Sequence, residues 1–374
     1  MPGGRRKLDI RSEIIKLERL LGSGRSSLTY LESVPPEELR RLTEQATDAI
    51  FDADRASIQR LLGASRLLPG GLTAKLAQNV FGPLLSARIA DQLAADQAVD
   101  LAKRLDPSFL ADIAIELDPR RASGVLGRMP GSLIGAIATE LVKRGAYVTM
   151  GRMVGHLPDR AVKSAIGVID AEALLRTAFF VEETDRLNAI VDMLDDQRLD
   201  DLIVAAGEVD LWPEVLDLVE GLTKRRQGRV ADAAAAHDDE LLAGLFKTAH
   251  EQQLWDFVLP LVGSMSKESR ERFATLKTIQ RKTVLREIVA AAARTELWAE
   301  LLPLVPLLTP KARGYVAGAV AELDRDMIER AIADTGSNGI SAPGLVAIAA
   351  AMDPKAQAEL ATLFEQRLGK PAGD

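Results

Sequence analysis

The chain has 374 residues, 47% of them apolar and 27% charged, which excludes a disordered polypeptide and leaves room for more than one domain. It has no cysteine, so disulfides, thiol catalysis and thiolate metal sites are excluded. Net charge is −7, and residues 182–201 supply most of it, with eight acids against Arg186 and Arg198. The near balance elsewhere gives no reason to expect specific nucleic-acid binding.

Residues 1–8 read as a basic, glycine-containing tail without the apolar run of a secretion signal, and a cytoplasmic location is expected. A helix is predicted over 10–21, with Asp9 as N-cap. A Gly/Ser turn follows at 22–27. Pro35 and Pro36 open a second helix through Leu62, and Pro69, Gly70 and Gly71 end that region. A further helix is predicted over 72–94, bent at Gly82-Pro83. No stretch is apolar for long enough to span a membrane, which leaves peripheral membrane contact open.

From about residue 97 a shorter beat begins. Leu105-Asp106-Pro107 recurs as Leu117-Asp118-Pro119 and, worn, as Met129-Pro130, and Leu157-Pro158-Asp159 repeats the idea. Such a beat suits a string of short helices, each capped by Asp and begun by Pro, whose missing N–H costs nothing there. The segment KRLDPSFLADIAIELDPRRASGVLGRMPGSLIGAIATEL, within residues 97–170, resembles the N-terminal intracellular domain of MgtE-type magnesium transporters. The resemblance implies a right-handed superhelix of short helices. It does not imply transport, because no transmembrane helices and no nucleotide-sensing module accompany it, and no magnesium ligand is carried over.

The C-terminal half has a longer period. Trp212, Trp255 and Trp298 are the only tryptophans, and they stand 43 residues apart in the phrases LWPEVLDLV, LWDFVLPLV and LWAELLPLV. Thr223, Ser266 and Thr309 follow in register, and all are N-cap types. The apolar pairs Leu241-Leu242, Val284-Leu285 and Met327-Ile328 match as well. An all-α fold is therefore expected: a superhelical array of short helices, with an α-solenoid of 43-residue repeats in its C-terminal half. Its tryptophans are expected to anchor the packing between units. A degenerate terminal copy is expected, because Met352-Asp353-Pro354 echoes Leu308-Thr309-Pro310 one residue out of register, and its tryptophan position falls at Ser341 or Ala342. Asn338-Gly339 reads as a flexible turn rather than a hairpin. The domains expected are 1–35, 36–96, 97–206, 207–368 and a polar tail, 369–374.

Chemistry is sparse. His156, His237 and His250 fall near helix ends, without a Ser or second His to complete a catalytic or metal set. No phosphate-binding glycine loop and no H-E-x-x-H occurs, so no cofactor, metal or catalytic residue is assigned. The acids of 182–201 could hold Mg²⁺, or could be helix caps and a solvated face. The sharper expectation concerns basic residues after the caps: Lys224 with Lys267, Arg270 with Arg313, and Arg229 with Arg272 are in register, and Arg225 adjoins them. Stacked copies would align them into a ridge for an acidic protein segment. A solvated face paired with Glu268 and Glu271 is the competing reading. The function expected is a non-enzymatic scaffold for protein–protein interaction, with a Mg²⁺-responsive regulatory module as the alternative.

Overall fold

The computed structural model describes residues 3–21, 27–52, 70–324, 327–328 and 342–358. Among these the protein is all-α, with 22 helices packed against one another and no strand. None of the described helices is long and apolar enough to cross a membrane. The chain forms two compact units, Met1–Leu194 and Asp195–Asp374.

The N-terminal unit starts with α1 (Gly3–Leu21) and α2 (Pro36–Asp52). Helix α1 starts seven residues earlier than the sequence suggests, so Asp9 lies inside it rather than at its N-cap. The physical reason is continuity: Arg5, Arg6, Lys7 and Leu8 are good helix formers, and no breaker separates them from Ile10. Helix α1 is part of the core. Ile14 and Leu17 are buried, and so are Ser12, Glu13, Lys16 and Glu18.

Next come α3 (Gly70–Leu76), a π turn (Ala77–Phe81) and α4 (Gly82–Gln92). The bend at Gly82 is real, and its φ of +70 is one that only glycine adopts freely. The short helices follow: α5 (Ala95–Ala102), α6 (Pro107–Glu116), α7 (Ser123–Leu126), α8 (Gly131–Lys143), α9 (Tyr147–Val154), α10 (Asp159–Ile166), α11 (Ala171–Ala178) and α12 (Thr184–Met193). The main packing skips a helix, α4 on α6, α6 on α8, α8 on α10 and α9 on α11. Apolar faces repeated every second helix thus share one core.

The Leu-Asp-Pro beat is local punctuation with unexpected partners. Asp106 occupies the N-cap position of α6, yet its carboxylate accepts from Gln78 Nε2 at 2.6 Å instead of capping. Asp118 does not start a helix at all. Its fully buried side chain accepts the Arg120 N–H (3.1 Å) and Arg120 Nη2 (2.9 Å). Asp170, outside the beat, is a true cap, accepting the Ala173 N–H at 2.7 Å.

The C-terminal unit comprises α13 (Asp196–Glu208), α14 (Trp212–Glu220), α15 (Lys224–Ala234), α16 (Ala243–Glu251), α17 (Trp255–Gly263), α18 (Lys267–Thr275), α19 (Lys282–Thr295), α20 (Trp298–Leu301, continued as a 3-10 turn, Leu302–Leu307), α21 (Pro310–Ala321) and α22 (Ala342–Ala351). Here too the chief contacts skip one helix, α13 on α15, α15 on α17, α17 on α19 and α19 on α21. The unit begins before α13, not at residue 207, because α13 packs on α14, α15 and α16.

Each tryptophan is the first residue of its helix and is buried. The preceding helix stops in the same way each time. Asp210, Gln253 and Glu296 are the only non-glycine residues at positive φ among those described, and they too are 43 apart. After each, Leu211, Leu254 and Leu297 donate their N–H to the carbonyls of Ala206, Ala249 and Ala292. This six-to-one bond around a left-handed residue is the Schellman stop, made here without glycine. The three accepting alanines are fully buried, so the backbones approach closely at each stop. Thr223, Ser266 and Thr309 all occupy N-cap positions. Ser266 and Thr309 accept the N–H groups of Ser269 and Ala312, at 3.2 and 3.3 Å. Asp353 likewise accepts from the N–H groups of Lys355 and Ala356. Residues 22–26, 53–69, 336–339 and 369–374, which carry several expected turns and tails, lie outside the described residues.

Candidate functional sites

The aromatic anchors face the interior. Trp212 shares its buried face with Val215, Leu216 and Val219 and adjoins Val230, Leu242 and Val258 around a small apolar space. A Cβ on Gly244 would stand 2.5 Å from Trp212 Cδ1, so the ring lies directly on that glycine. The indole N–H of Trp212 is buried without an acceptor among the described residues. Trp255 differs: its N–H donates to Glu287 Oε2 at 2.8 Å. Rings held in this way are unavailable for stacking on a base or cation.

The seven basic residues divide. Lys224 and Lys267 are the first residues of α15 and α18, and both are exposed. Arg225 and Arg272 are exposed as well. Lys267 reaches Glu271 only at 4.0 Å, with 85% of its side chain in solvent. Arg229 is half-buried and pairs with Asp196 at 2.7 Å. Arg270 turns back, and its Nη2 donates to the carbonyls of Gly263 and Met265, both at 3.1 Å. It thereby closes the end of α17, as Gln227, 43 residues earlier, does for α14 through the Val219 carbonyl. Arg313, next in that register, is half-buried, and its Nε has no hydrogen-bond partner among the described residues.

The acids of 182–201 fall in both units and are dispersed. Glu182 serves Lys16, Asp195 caps α13 through the Arg198 N–H, Asp196 pairs with Arg229, and Asp200 shares a hydrogen bond with His237 Nε2 at 2.9 Å. Asp200 and Asp201 lie inside α13, where they cannot cap it. Among the described residues no three His, Asp or Glu side chains converge as metal ligands.

The densest polar constellation was not legible in the sequence. In the N-terminal unit Lys16 Nζ donates to Glu13 Oε1 (3.0 Å) and Glu182 Oε1 (2.7 Å), while Arg40 Nη2 donates to Glu13 Oε1 at 3.1 Å. Burial alone would raise the Glu182 carboxyl, but Lys16 and Arg40 outweigh it and hold it below the usual range. Arg152 and His156, one turn apart along the chain, line the same small polar space with Thr43, Thr47 and Arg120. The space is about 30 Å³, room for a water or two rather than an organic substrate.

A much larger cavity, about 170 Å³, lies within the N-terminal unit, lined by residues between Thr73 and Ile190. Among the described residues its wall is apolar except for Thr73, Ser86 and Thr177.

Compared with models of protein families, with curated proteins and with solved structures, the chain matches none. The physical description of these sites therefore carries the functional reading.

Proposed function

We propose that the protein is a cytoplasmic, non-enzymatic scaffold whose C-terminal unit is an array of 43-residue helical repeats that binds an acidic segment of another protein. The observation that carries this reading is the placement of Lys224 and Lys267. A cation at a helix start opposes the helix dipole, and neither side chain is needed for packing. Two exposed, mildly unfavourable cations at one register suit recognition of an anion better than they suit folding. Arg225 and Arg272 extend the cationic character, while Arg229, Arg270 and Arg313 belong to the framework behind it. The magnesium-responsive alternative gains no support from acids that are already paired with cations or engaged as caps.

The test is a fourfold charge reversal at Lys224, Arg225, Lys267 and Arg272, with binding of a fluorescent poly-glutamate 20-mer measured by anisotropy against salt. The reversed protein should melt near the parent temperature and bind at least tenfold more weakly, and parent affinity should fall steeply with salt. Equal binding by the two proteins would remove the proposal. Affinity purification from the native cell, read by mass spectrometry, would then identify the partner.

A further inference from the structure

The cavity of the N-terminal unit is independent of the basic residues above, and its chemistry is specific. Among the described residues its lining includes no acid, lysine, arginine or histidine. The lining residues come from helices between α3 and α12. Three hydroxyl-bearing residues line it. Thr177 donates to Met150 Sδ at 3.7 Å, and Thr73 is engaged elsewhere. Ser86, in α4, is 7% exposed, and its Oγ has no partner among the described residues. Leaving a buried hydroxyl unsatisfied is unfavourable, and an apolar wall offers it nothing.

We propose that this cavity binds a slender, uncharged molecule: a single alkyl or acyl chain ending in one hydroxyl or carbonyl group that hydrogen-bonds Ser86. The wall fits the chain, because among the described residues it is aliphatic, thioether or, at Phe81, aromatic except at the three hydroxyls. The lone unsatisfied Ser86 fixes the polar end, since a Ser hydroxyl can donate to a carbonyl or accept from an alcohol. The absence of charge among the described lining residues disfavours an ionised carboxylate inside it.

The probe is 1-octanol, titrated into the full-length protein by calorimetry and by its effect on the melting temperature. Sodium octanoate at pH 8 serves as the charged comparison. Saturable one-to-one binding of octanol is expected, with octanoate at least tenfold weaker. Ser86→Ala should weaken octanol about fivefold, the loss of one hydrogen bond. Ala138→Leu, which fills the cavity from α8, should abolish saturable binding, and Ala165→Leu, entering from the α10 side, serves if that variant fails to fold. Overturning results are absence of saturable octanol binding to the parent, octanoate binding as tightly as octanol, or parent-like octanol binding by a folded cavity-filled variant. Unchanged affinity in Ser86→Ala removes Ser86 as the polar anchor. Because the repeats are untouched, failure here leaves the poly-glutamate result standing, and the reverse holds.

Discussion

Glu287 Oε2 accepts the indole N–H of Trp255 at 2.8 Å, while Oε1 of the same carboxylate shares a hydrogen bond with His250 Nδ1 at 2.7 Å. The residue 43 positions earlier is Gly244, which lies against the Trp212 ring and leaves that N–H without an acceptor. Two tryptophans in the same register are thus held by different means, one by a charged acceptor and one by close packing.

Glu287→Ala should destabilise the protein by about 1–3 kcal/mol, because it strands a buried donor. In a Trp255→Phe background the same substitution should cost much less, since there is no donor to strand. Urea denaturation of the four proteins followed by circular dichroism measures this coupling, and equal costs in both backgrounds would refute the assigned role.

Gly244→Ala should cost about 1–3 kcal/mol through overpacking against Trp212. Trp212→Ala should cost about 3–5 kcal/mol, as a fully buried ring leaves a cavity. Combining the two should cost less than their sum, because the added methyl then meets a void. Strict additivity would mean that Gly244 and Trp212 do not press on each other.

Gln253 tests the left-handed stop. Because its φ is +56, Gln253→Val should destabilise by about 1–2 kcal/mol, whereas Gln253→Gly should not destabilise. At an ordinary exposed helical position glycine would be the worse replacement, or nearly so, and that order on thermal melting would exclude a strained stop.

Stability should depend on Glu182 in acid. Its folded-state pKa is held below the usual range, so its contribution is fully present above the ordinary glutamate value of about 4.3 and is lost as pH falls through the lower folded value. Glu182→Gln should be less stable than the parent at pH 7, with the gap closing as pH falls below about 4. A gap independent of pH between 7 and 3 would contradict the Lys16–Glu182 pairing.

Helix content and the placement of the tryptophan helices and their caps were legible because apolar spacing and N-cap chemistry are local signals. Glu13 and Lys16 illustrate what was not. Three apart on a helix, they read as a solvated pair, and only the distant Arg40 and Glu182 reveal a buried network. Arg270 illustrates the opposite error. It matches Arg313 in register and has the type expected of a ridge, yet its fork is turned onto carbonyls that no sequence pattern marks. The acids of 182–201 are adjacent in sequence but serve separate partners, and the cavity is written across more than a hundred residues of unremarkable aliphatic side chains.

All three indoles belong to the C-terminal unit, and the N-terminal unit has none. Emission excited at the red edge of the near-ultraviolet band therefore observes one half of the molecule while backbone ellipticity observes both. A mismatch between those two signals during denaturation would reveal directly whether the halves come apart in separate steps.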